Sequence, residues 1–533
     1  MLFLVGLPMF FLELGLGQWA GVGATKIYTR VSPALRGMGY GMITIPTLIN
    51  FYYVVIMAWA LHYLFSGLTS SLPWSRCNQR FNSDHCYSLV EAETCLTDQV
   101  FYIGECISSV EFCHEMNCTY DPAYTDSCMI NTTSRDTIKM SELFYRVSPS
   151  EEYWYYRVLG MNVVNGSLVV EDNSWVNWGE MQWEILGCLA LSWILICVFL
   201  SNGIQSYGKV VYFTTLFPYL VLTILLGYTA TLEGFGNGLE YYFIPRDWND
   251  LLDIQVWNAA AGQIFYSLGV ALGTHLMLAS YNNFTENVQR DAILIAFCNS
   301  FTSIYAGLVV FGCLGYLSLK KGVSIEDVIQ SGPGLAFIVY PEAISLMDIP
   351  PLFSFLFFFM LVLLAISSIC ATWEGMIGTL MDEFPTLRKH RLPVMIVSCI
   401  IGFLCGISMC FSSGFLMFDL IDGRASNAIL LLAFIELITI SWFYGVDKFI
   451  SHVKDMGIYM PWPLKIYWYI CWIAISPALL LLVIFLFWAE GQQDQFLDYI
   501  YEAWVQVMIY RNRQEAAQIH IRHNKAVKQP RDL

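Results

Sequence analysis

The chain has 533 residues, of which 56% are hydrophobic and only 13% are charged. Together with a mean hydropathy of +0.54, this composition is typical of a protein that crosses a membrane several times. The 27 basic and 43 acidic residues give a formal charge of −16, which argues against nucleic acid as a partner. The sequence has no phosphate-binding loop, no HExxH motif and no paired CxxC motif, so little supports an enzyme.

Ten apolar segments are candidates for membrane spans, each of which needs about 20 apolar residues. They lie at residues 1–20, 40–66, 185–202, 209–231, 259–280, 292–317, 351–379, 393–412, 425–445 and 464–489. The first has no basic leader and carries Glu13, which favours a span over a signal peptide. Basic residues occupy alternate loops, so the chain is expected to begin outside.

The polar segment 69–180 is then extracellular. It contains seven cysteines, a density that predicts disulfides, with one thiol left free or paired elsewhere. The Asn-X-Ser/Thr sequons at Asn117, Asn131 and Asn165 are expected glycosylation sites, and Asn117, with cysteine in the middle position, is the weakest.

A second outer segment, 318–350, is predicted to hold two short helices. One begins after Ser324, which has Asp327 three residues on and can cap the helix. The SGPG stretch at 331–334 ends it, and a helix resumes from Leu335 to Met347.

One apolar segment, 259–280, carries Gly269 and Gly273 in its middle, after polar Gln263 and Ser267. Glycine weakens a helix interior and lets the backbone unwind. Unwound backbone at membrane depth is tolerated where it faces protein or a wet cavity, so this segment is interpreted as two half-helices that bind something. The alternative is one continuous span whose glycines serve close helix packing.

Several stretches, in order along nearly the whole chain, resemble the neurotransmitter:sodium symporters and their bacterial leucine-transporter relatives. They are PMFFLELGLGQWA (8–20), YYVVIMAWALHYL (52–64), GKVVYFTTLFPYLVLTILL (208–226), QVWNAAAGQIFYSLG (255–269), LASYNNF (278–284), MDEFP (381–385) and SWFYGVDKF (441–449). The resemblance implies an all-α polytopic membrane protein with an inverted repeat and about ten transmembrane helices. Substrate and ions would bind where two helices are broken at the midplane.

By this resemblance the chain starts at the family's second span. The first span, with half of the substrate pocket and several ion ligands, is expected to be absent, and the twelfth is doubtful. The implied organisation is spans 2–3 (1–68), the outer disulfide and glycosylated loop (69–180), spans 4–7 (181–317), a helical lid (318–350), spans 8–11 (351–489) and a tail with a remnant of span 12 (490–533).

The resemblance also implies ion ligands. Ser267 and Asn299 match the first sodium site, and the second is matched by Leu364, Ser367 and Ser368. Gln263, Ser267, Asn299 and Ser303 match the chloride site. Where relatives need no chloride, a carboxylate takes the place of Ser303, so an uncharged serine implies chloride beside two sodium ions. The alternative for Ser267 and Asn299 is hydrogen bonding between helices by buried polar groups. For Ser367 and Ser368 it is hydrogen bonding to backbone carbonyls one turn back.

The implied substrate pocket is lined by Tyr53, Ile49, Tyr266, Ser267, Gly269, Leu272, Ser368 and Thr372. Leu272 replaces an aromatic gate residue of many relatives, which suggests a wider pocket. His275 also replaces a residue that is usually apolar, and it is interpreted either as a functional group at membrane depth or as a packing residue.

The resemblance further implies gates and one disulfide. Asp422 matches the outer-gate acid, with Asp419 as a fallback. Asp382 and Tyr281 match the inner gate; the arginine partner of Asp382 belongs to the family's first span, so Asp382 is expected to be exposed and unpaired. Cys77 and Cys86 match the family's disulfide pair.

The sequence is therefore interpreted as a multi-pass plasma-membrane symporter coupled to sodium and chloride ions. Its substrate would be a neutral amino acid or related small amine, and the lipid bilayer is its other expected partner. The alternative is a truncated isoform or fragment that does not transport. An oligomer with itself or with full-length relatives is left open.

Overall fold

The computed structural model describes residues 1–96, 98–116, 118–120, 127–131, 136–139, 146–164, 167–169, 174–201, 203–245, 247–329, 332–490, 495–496 and 499–500. Its α-helices are α1 (Leu7–Ala20), α2 (Ala24–Val31), α3 (Arg36–Ser66), α4 (Leu89–Ala92), α5 (Ser109–Glu115), α6 (Pro149–Glu152), α7 (Trp183–Leu200), α8 (Ile204–Thr229), α9 (Phe235–Phe243), α10 (Ile254–Leu268), α11 (Thr274–Ala279), α12 (Val288–Lys321), α13 (Ile325–Val328), α14 (Tyr340–Ser345), α15 (Pro350–Glu383), α16 (Arg391–Gly406), α17 (Gly414–Ile438), α18 (Val446–Asp455), α19 (Trp462–Ile470) and α20 (Ser476–Glu490).

Tighter or wider helical turns extend several of these helices. Wide turns lie at Leu2–Gly6, Tyr153–Leu159, Leu335–Val339, Thr439–Gly445 and Cys471–Ile475, and tight turns at Pro33–Leu35, Trp248–Leu252, Pro385–His390 and Ile407–Cys410. Within the described residues, nine continuous helical stretches are long and apolar enough to cross a membrane. The one remaining predicted span, 259–280, is divided between α10 and α11. The prediction of an all-α polytopic membrane protein is therefore confirmed.

The strands are short and lie almost entirely in the outer loop. They are β1 (Gln99–Tyr102), β2 (Glu105–Ser108), β3 (Thr119–Tyr120), β4 (Ser127–Asn131), β5 (Asp136–Lys139), β6 (Val163–Val164), β7 (Ser167–Leu168), β8 (Gln495–Phe496) and β9 (Tyr499–Ile500). Every pairing is antiparallel, in the orders β1-β2, β3-β4-β5, β6-β7 and β8-β9.

Disulfides cross-link the outer loop. Cys77 is bonded to Cys86, as predicted, and Cys95 is bonded to Cys106. Cys118 keeps a free thiol, in agreement with the odd number of cysteines in this segment. The expected glycosylation sites Asn117 and Asn165 lie outside the described residues, as does the side chain of Asn131, so glycosylation stays a prediction.

The second outer segment has the predicted two helices. The Ser324 hydroxyl accepts a hydrogen bond from the Asp327 backbone N–H and caps α13. Helix resumes at Leu335 and ends at Ser345, two residues before the predicted end. The tail after Glu490 lies outside the described residues, except for β8 and β9.

Two apolar clusters hold the helices together. One surrounds α3 and α15 and is rich in aromatic rings: Tyr63 stacks on Phe358 with 4.7 Å between ring centroids, and Trp59 packs edge-on against Trp154. The other cluster joins α1, α10, α17 and the helices at the C-terminal end. Most buried apolar residues of the broken segment belong to the second cluster, and Ile49 of α3 packs against both clusters.

Candidate functional site

The segment predicted to be interrupted consists of two helices. α10 ends at Leu268 and α11 begins at Thr274. Between them Gly269 and Gly273 have φ of +64° and +68°, and Ala271 also has φ of +64°. This left-handed backbone suits glycine but costs a residue with a Cβ about 1–2 kcal/mol. The broken helix is therefore confirmed, and the alternative of one continuous span is wrong.

A buried carboxyl group holds the break. Glu13 of α1 has no exposed surface, and its Oε1 accepts a hydrogen bond from the Ala271 backbone N–H. His275 of α11 faces the other oxygen, with 3.6 Å between His275 Nδ1 and Glu13 Oε2. In the sequence, Glu13 served only as an argument against a signal peptide. An acidic residue within an apolar span is itself a functional signal, and that signal was missed.

The candidate ligands of the first sodium site lie together. Asn299 Nδ2 donates a hydrogen bond to Ser267 Oγ at 2.6 Å, which links α12 to α10. The Ser303 hydroxyl donates to the Asn299 carbonyl at 3.1 Å. Gln263 lies four residues before Ser267, on the same face of α10. Sodium takes oxygen ligands, so ion binding would require the Asn299 amide to turn its oxygen toward Ser267.

The candidate ligands of the second sodium site lie on one side of α15. The Ser367 hydroxyl donates to the Leu364 carbonyl at 2.8 Å, and the Ser367 carbonyl accepts a hydrogen bond from Tyr207 at 2.9 Å. Leu364 and Ser368 are exposed. Each carbonyl has two lone pairs, so the Leu364 oxygen can still accept an ion.

The candidate substrate residues of α3 and α15 meet each other. The Tyr53 hydroxyl lies within hydrogen-bonding reach of Ser368, and the Thr372 hydroxyl donates to Asn50 Oδ1 at 2.8 Å. Ile49 packs against both apolar clusters. Asn50 was missed in the sequence, although a buried amide in an apolar span is a comparable signal. The remaining candidates, Tyr266, Gly269 and Leu272, belong to the broken segment.

At the outer end, two tyrosines approach Asp422 of α17. The Tyr266 hydroxyl donates to the Asp422 backbone carbonyl at 3.5 Å, and Tyr52 lies within hydrogen-bonding reach of the Asp422 carboxyl group. Tyr266 and Asp422 come from helices far apart in the sequence. The predicted outer-gate acid is thus placed beside a predicted pocket residue, whereas Tyr52 was not predicted.

At the inner end, the expectation of an exposed and unpaired Asp382 is wrong. Asp382 is 7% exposed, its Oδ2 accepts a hydrogen bond from the Gly23 backbone N–H at 2.7 Å, and its Oδ1 is paired with Arg388. The tight turn Pro385–His390 folds the chain back and brings Arg388 to the carboxylate. The partner of Asp382 thus lies only six residues further along the same segment.

A second ion pair lies beside the other inner-gate candidate. Both oxygens of Glu374, which has no exposed surface, accept hydrogen bonds from Arg391 at 2.6 Å. Tyr281 lies within reach of Glu374 and Arg391. The pair joins α15 to α16 and was missed in the sequence.

Comparison with known proteins decides the family. The family model described as the sodium:neurotransmitter symporter family matches residues 1–116 and 96–514. The chain belongs to the sodium:neurotransmitter symporter family. The resemblance stated from the sequence is therefore confirmed. The sodium:neurotransmitter symporter family consists of transporters, not enzymes, so this chain is a multi-pass membrane transport protein.

Three curated members of the sodium:neurotransmitter symporter family are each 36% identical to the chain. For the sodium- and chloride-dependent glycine transporter 1 of Xenopus laevis, the match spans 507 residues, 95% of this chain and 74% of the relative. For glycine transporter 2 of the same organism it spans 511 residues, 95% of this chain and 61% of the relative. For the sodium- and chloride-dependent GABA transporter 2 of Mus musculus it spans 485 residues, 90% of this chain and 71% of the relative.

Proposed function

We propose that the protein is a sodium- and chloride-coupled symporter of a neutral amino acid or related small amine, working by alternating access. Inward sodium flux would drive uptake against a gradient, because ions and substrate together favour one conformation over the other. The observation that carries the proposal is the break between α10 and α11, next to Ser267, which accepts a hydrogen bond from Asn299 of α12.

The ion requirement is supported by the oxygen groups at the break and on α15. Ser267, Asn299, Ser367, Ser368 and the Leu364 carbonyl are neutral oxygen donors of the type that suits sodium. These neutral groups leave the charge of two sodium ions uncompensated, and Ser303 is uncharged as well. A chloride ion would supply the missing negative charge. Its proposed ligands are Gln263, Ser267, Asn299 and Ser303. The relatives are described as sodium- and chloride-dependent, which agrees.

The substrate class is supported by size and polarity. The relatives are described as glycine and GABA transporters, and both substrates are small zwitterions. The Tyr53 hydroxyl beside Ser368, and the backbone around Gly269, offer donors and acceptors for a zwitterion. Leu272 leaves the pocket without an aromatic gate at that position, which favours a larger neutral amino acid over glycine. The plasma membrane is the proposed location.

Uptake into cells that express the full chain tests the proposal. Labelled leucine, glycine and GABA are offered with sodium replaced by choline, or chloride replaced by gluconate. We expect uptake of leucine above vector-only cells, lost in both replacements. Surface biotinylation shows whether the chain reaches the surface; a chain that reaches it and takes up none of the three would contradict the proposal.

Two matched alanine variants separate ion binding from folding. Ser267→Ala removes a proposed sodium ligand and is expected to raise the sodium concentration for half-maximal uptake about tenfold, which corresponds to about 1.4 kcal/mol of lost binding free energy. Thr44→Ala removes a hydroxyl that bonds only the carbonyl of Tyr40 on the exposed face of α3. That control should leave the sodium dependence unchanged.

A further inference from the structure

Two fully buried carboxyl groups and one partly exposed histidine meet at the break, and the sodium and chloride sites use none of them. They are Glu13 of α1, His275 of α11 and Glu436 of α17. Both carboxyl groups have no exposed surface, and they lie within hydrogen-bonding reach of each other. Tyr28 of α2 completes the group, because its hydroxyl donates to Glu436 Oε1 at 2.8 Å. Among the described residues, these four are the titratable groups that face one another here.

Each carboxyl group has one oxygen with a donor and one without. Glu13 Oε1 takes the Ala271 N–H and Glu436 Oε1 takes the Tyr28 hydroxyl. Within the described part of the chain, Glu13 Oε2, Glu436 Oε2 and His275 Nδ1 have no hydrogen-bond partner. Only an added proton can link the two carboxyl oxygens, and His275 Nδ1 can join them either by accepting that proton or by donating its own in the Nδ1–H tautomer.

The electrostatic repulsion between the two carboxyl groups also requires a bound proton. No described lysine or arginine forms an ion pair with either carboxyl group, and two adjacent carboxylates in a medium of low dielectric constant repel each other strongly. Carboxyl pairs in such settings share a proton. The imidazole of His275 faces Glu13 Oε2 at 3.6 Å and offers the nearest alternative position for that proton.

We propose that Glu13, Glu436 and His275 form a proton-binding site that is loaded at neutral pH and gives up its proton when sodium binds. The site touches the break directly: Glu13 holds the Ala271 N–H, and the His275 ring lies against Gly269, two residues beyond Ser267. A sodium ion bound near Ser267 brings positive charge toward the cluster, which favours loss of the proton. This second half of the proposal rests on the proposed sodium coupling.

The coupling between sodium and proton binding determines how the sodium affinity should depend on pH. If sodium expels one proton, then protons weaken sodium binding by the same factor. The apparent sodium affinity should therefore fall by up to about tenfold for each pH unit below the pKa of the site. The exchange balances as one sodium ion bound and one proton released to the solution.

Infrared spectroscopy of the full chain in detergent micelles tests the proton directly and needs neither substrate nor sodium. A protonated carboxyl group has a carbonyl stretch that shifts in D2O. We expect this band near neutral pH in the parent protein, and its loss or reduction in Glu13→Gln and Glu436→Gln. The control is Glu374→Gln: that glutamate is equally buried but bonded to Arg391, so its removal should leave the band unchanged.

Sodium addition tests the release. Sodium chloride or choline chloride is added to weakly buffered protein containing a pH dye. We expect sodium alone to release about one proton per chain, and release to fall in His275→Leu, where the carboxyl pair is retained. His62→Leu is the matched control, because His62 also faces a glutamate, Glu184 at 3.7 Å, but lies away from the break.

The outcomes are distinct. A missing band, or a band that survives both glutamine variants in folded protein, overturns the proton site. Sodium-dependent thermal stabilisation without proton release overturns the exchange. If sodium neither stabilises the protein nor releases a proton while the band is present, the proposed sodium coupling fails and the proton site stands. Unchanged release in His275→Leu overturns the role of the histidine.

Discussion

Glu374 near the inner end of α15 and Glu13 at the break are both fully buried, but their partners differ. Glu374 has both oxygens bonded to the guanidinium of Arg391. Glu13 and its neighbour Glu436 have a backbone N–H, a tyrosine hydroxyl and each other, with no lysine or arginine partner among the described residues. Burial alone therefore says little about the role of a membrane carboxylate. The partner decides whether the group fastens helices as an anion or binds a proton.

Breaking the ion pair between Glu374 and Arg391 should have the largest effect on stability. Arg391→Met leaves Glu374 buried and unpaired, which typically costs about 3–5 kcal/mol. We expect the full chain in detergent to unfold at a clearly lower temperature, or to fail to reach the cell surface. Thermal unfolding followed by intrinsic tryptophan fluorescence measures the first effect.

The double variant Glu374→Leu with Arg391→Met decides the cause. Replacing both members of a buried pair by apolar residues is often neutral or stabilising. The double variant should therefore recover most of the lost stability. If it is as unstable as Arg391→Met alone, packing of the arginine stem rather than charge pairing explains the loss.

Removing a neutral partner at the break should have a smaller effect. Tyr28→Phe deletes the hydroxyl that donates to Glu436 and leaves a buried acceptor unsatisfied, at a cost of about 1–3 kcal/mol. Tyr40→Phe is the control, since its hydroxyl accepts from Arg36 and donates to Glu383 at an exposed position. Equal losses in both variants would contradict the distinction between the two regions.

Removing the conformational strain of the Ala271 backbone should have the smallest effect on stability. Ala271→Gly removes the cost of a Cβ at φ of +64° but adds entropy to the unfolded chain, so stability should change by less than about 1 kcal/mol. Ala261→Gly, in the buried interior of α10, has no such relief and should lose about 1 kcal/mol or more. Equal losses at both positions would show that the Ala271 backbone is not strained.

Patterns along the chain predicted most of the fold. Apolar length located the spans, and the paired glycines located the break, because both follow from the backbone's need for hydrogen bonds inside a membrane. Those patterns did not predict the partners of Asp382 and Glu374. Arg388 and Arg391 belong to one of the basic loops that served only to orient the chain, and the turn after α15 brings them back to the carboxylates.

The sequence predicted the polar side chains of the candidate site but not its buried carboxyl groups. The family resemblance brought together Ser267 with Asn299, and Tyr53 with Ser368, and the structure places each pair in contact or within reach. Glu13 and Glu436 lie 423 positions apart in the chain. Their meeting depends on the tertiary arrangement that brings α1 and α17 into one apolar cluster, which no local pattern expresses.

The free thiol of Cys118 can show on which side of the membrane the loop 69–180 lies. It follows α5 in a loop whose neighbouring cysteines at 77, 86, 95 and 106 are closed by disulfides. Burial raises the pKa of the Cys118 thiol, so its reaction with a membrane-impermeant maleimide should be slow at neutral pH and faster in mildly alkaline medium. Labelling of intact cells, abolished by Cys118→Ser, would report this loop as external without any fusion tag.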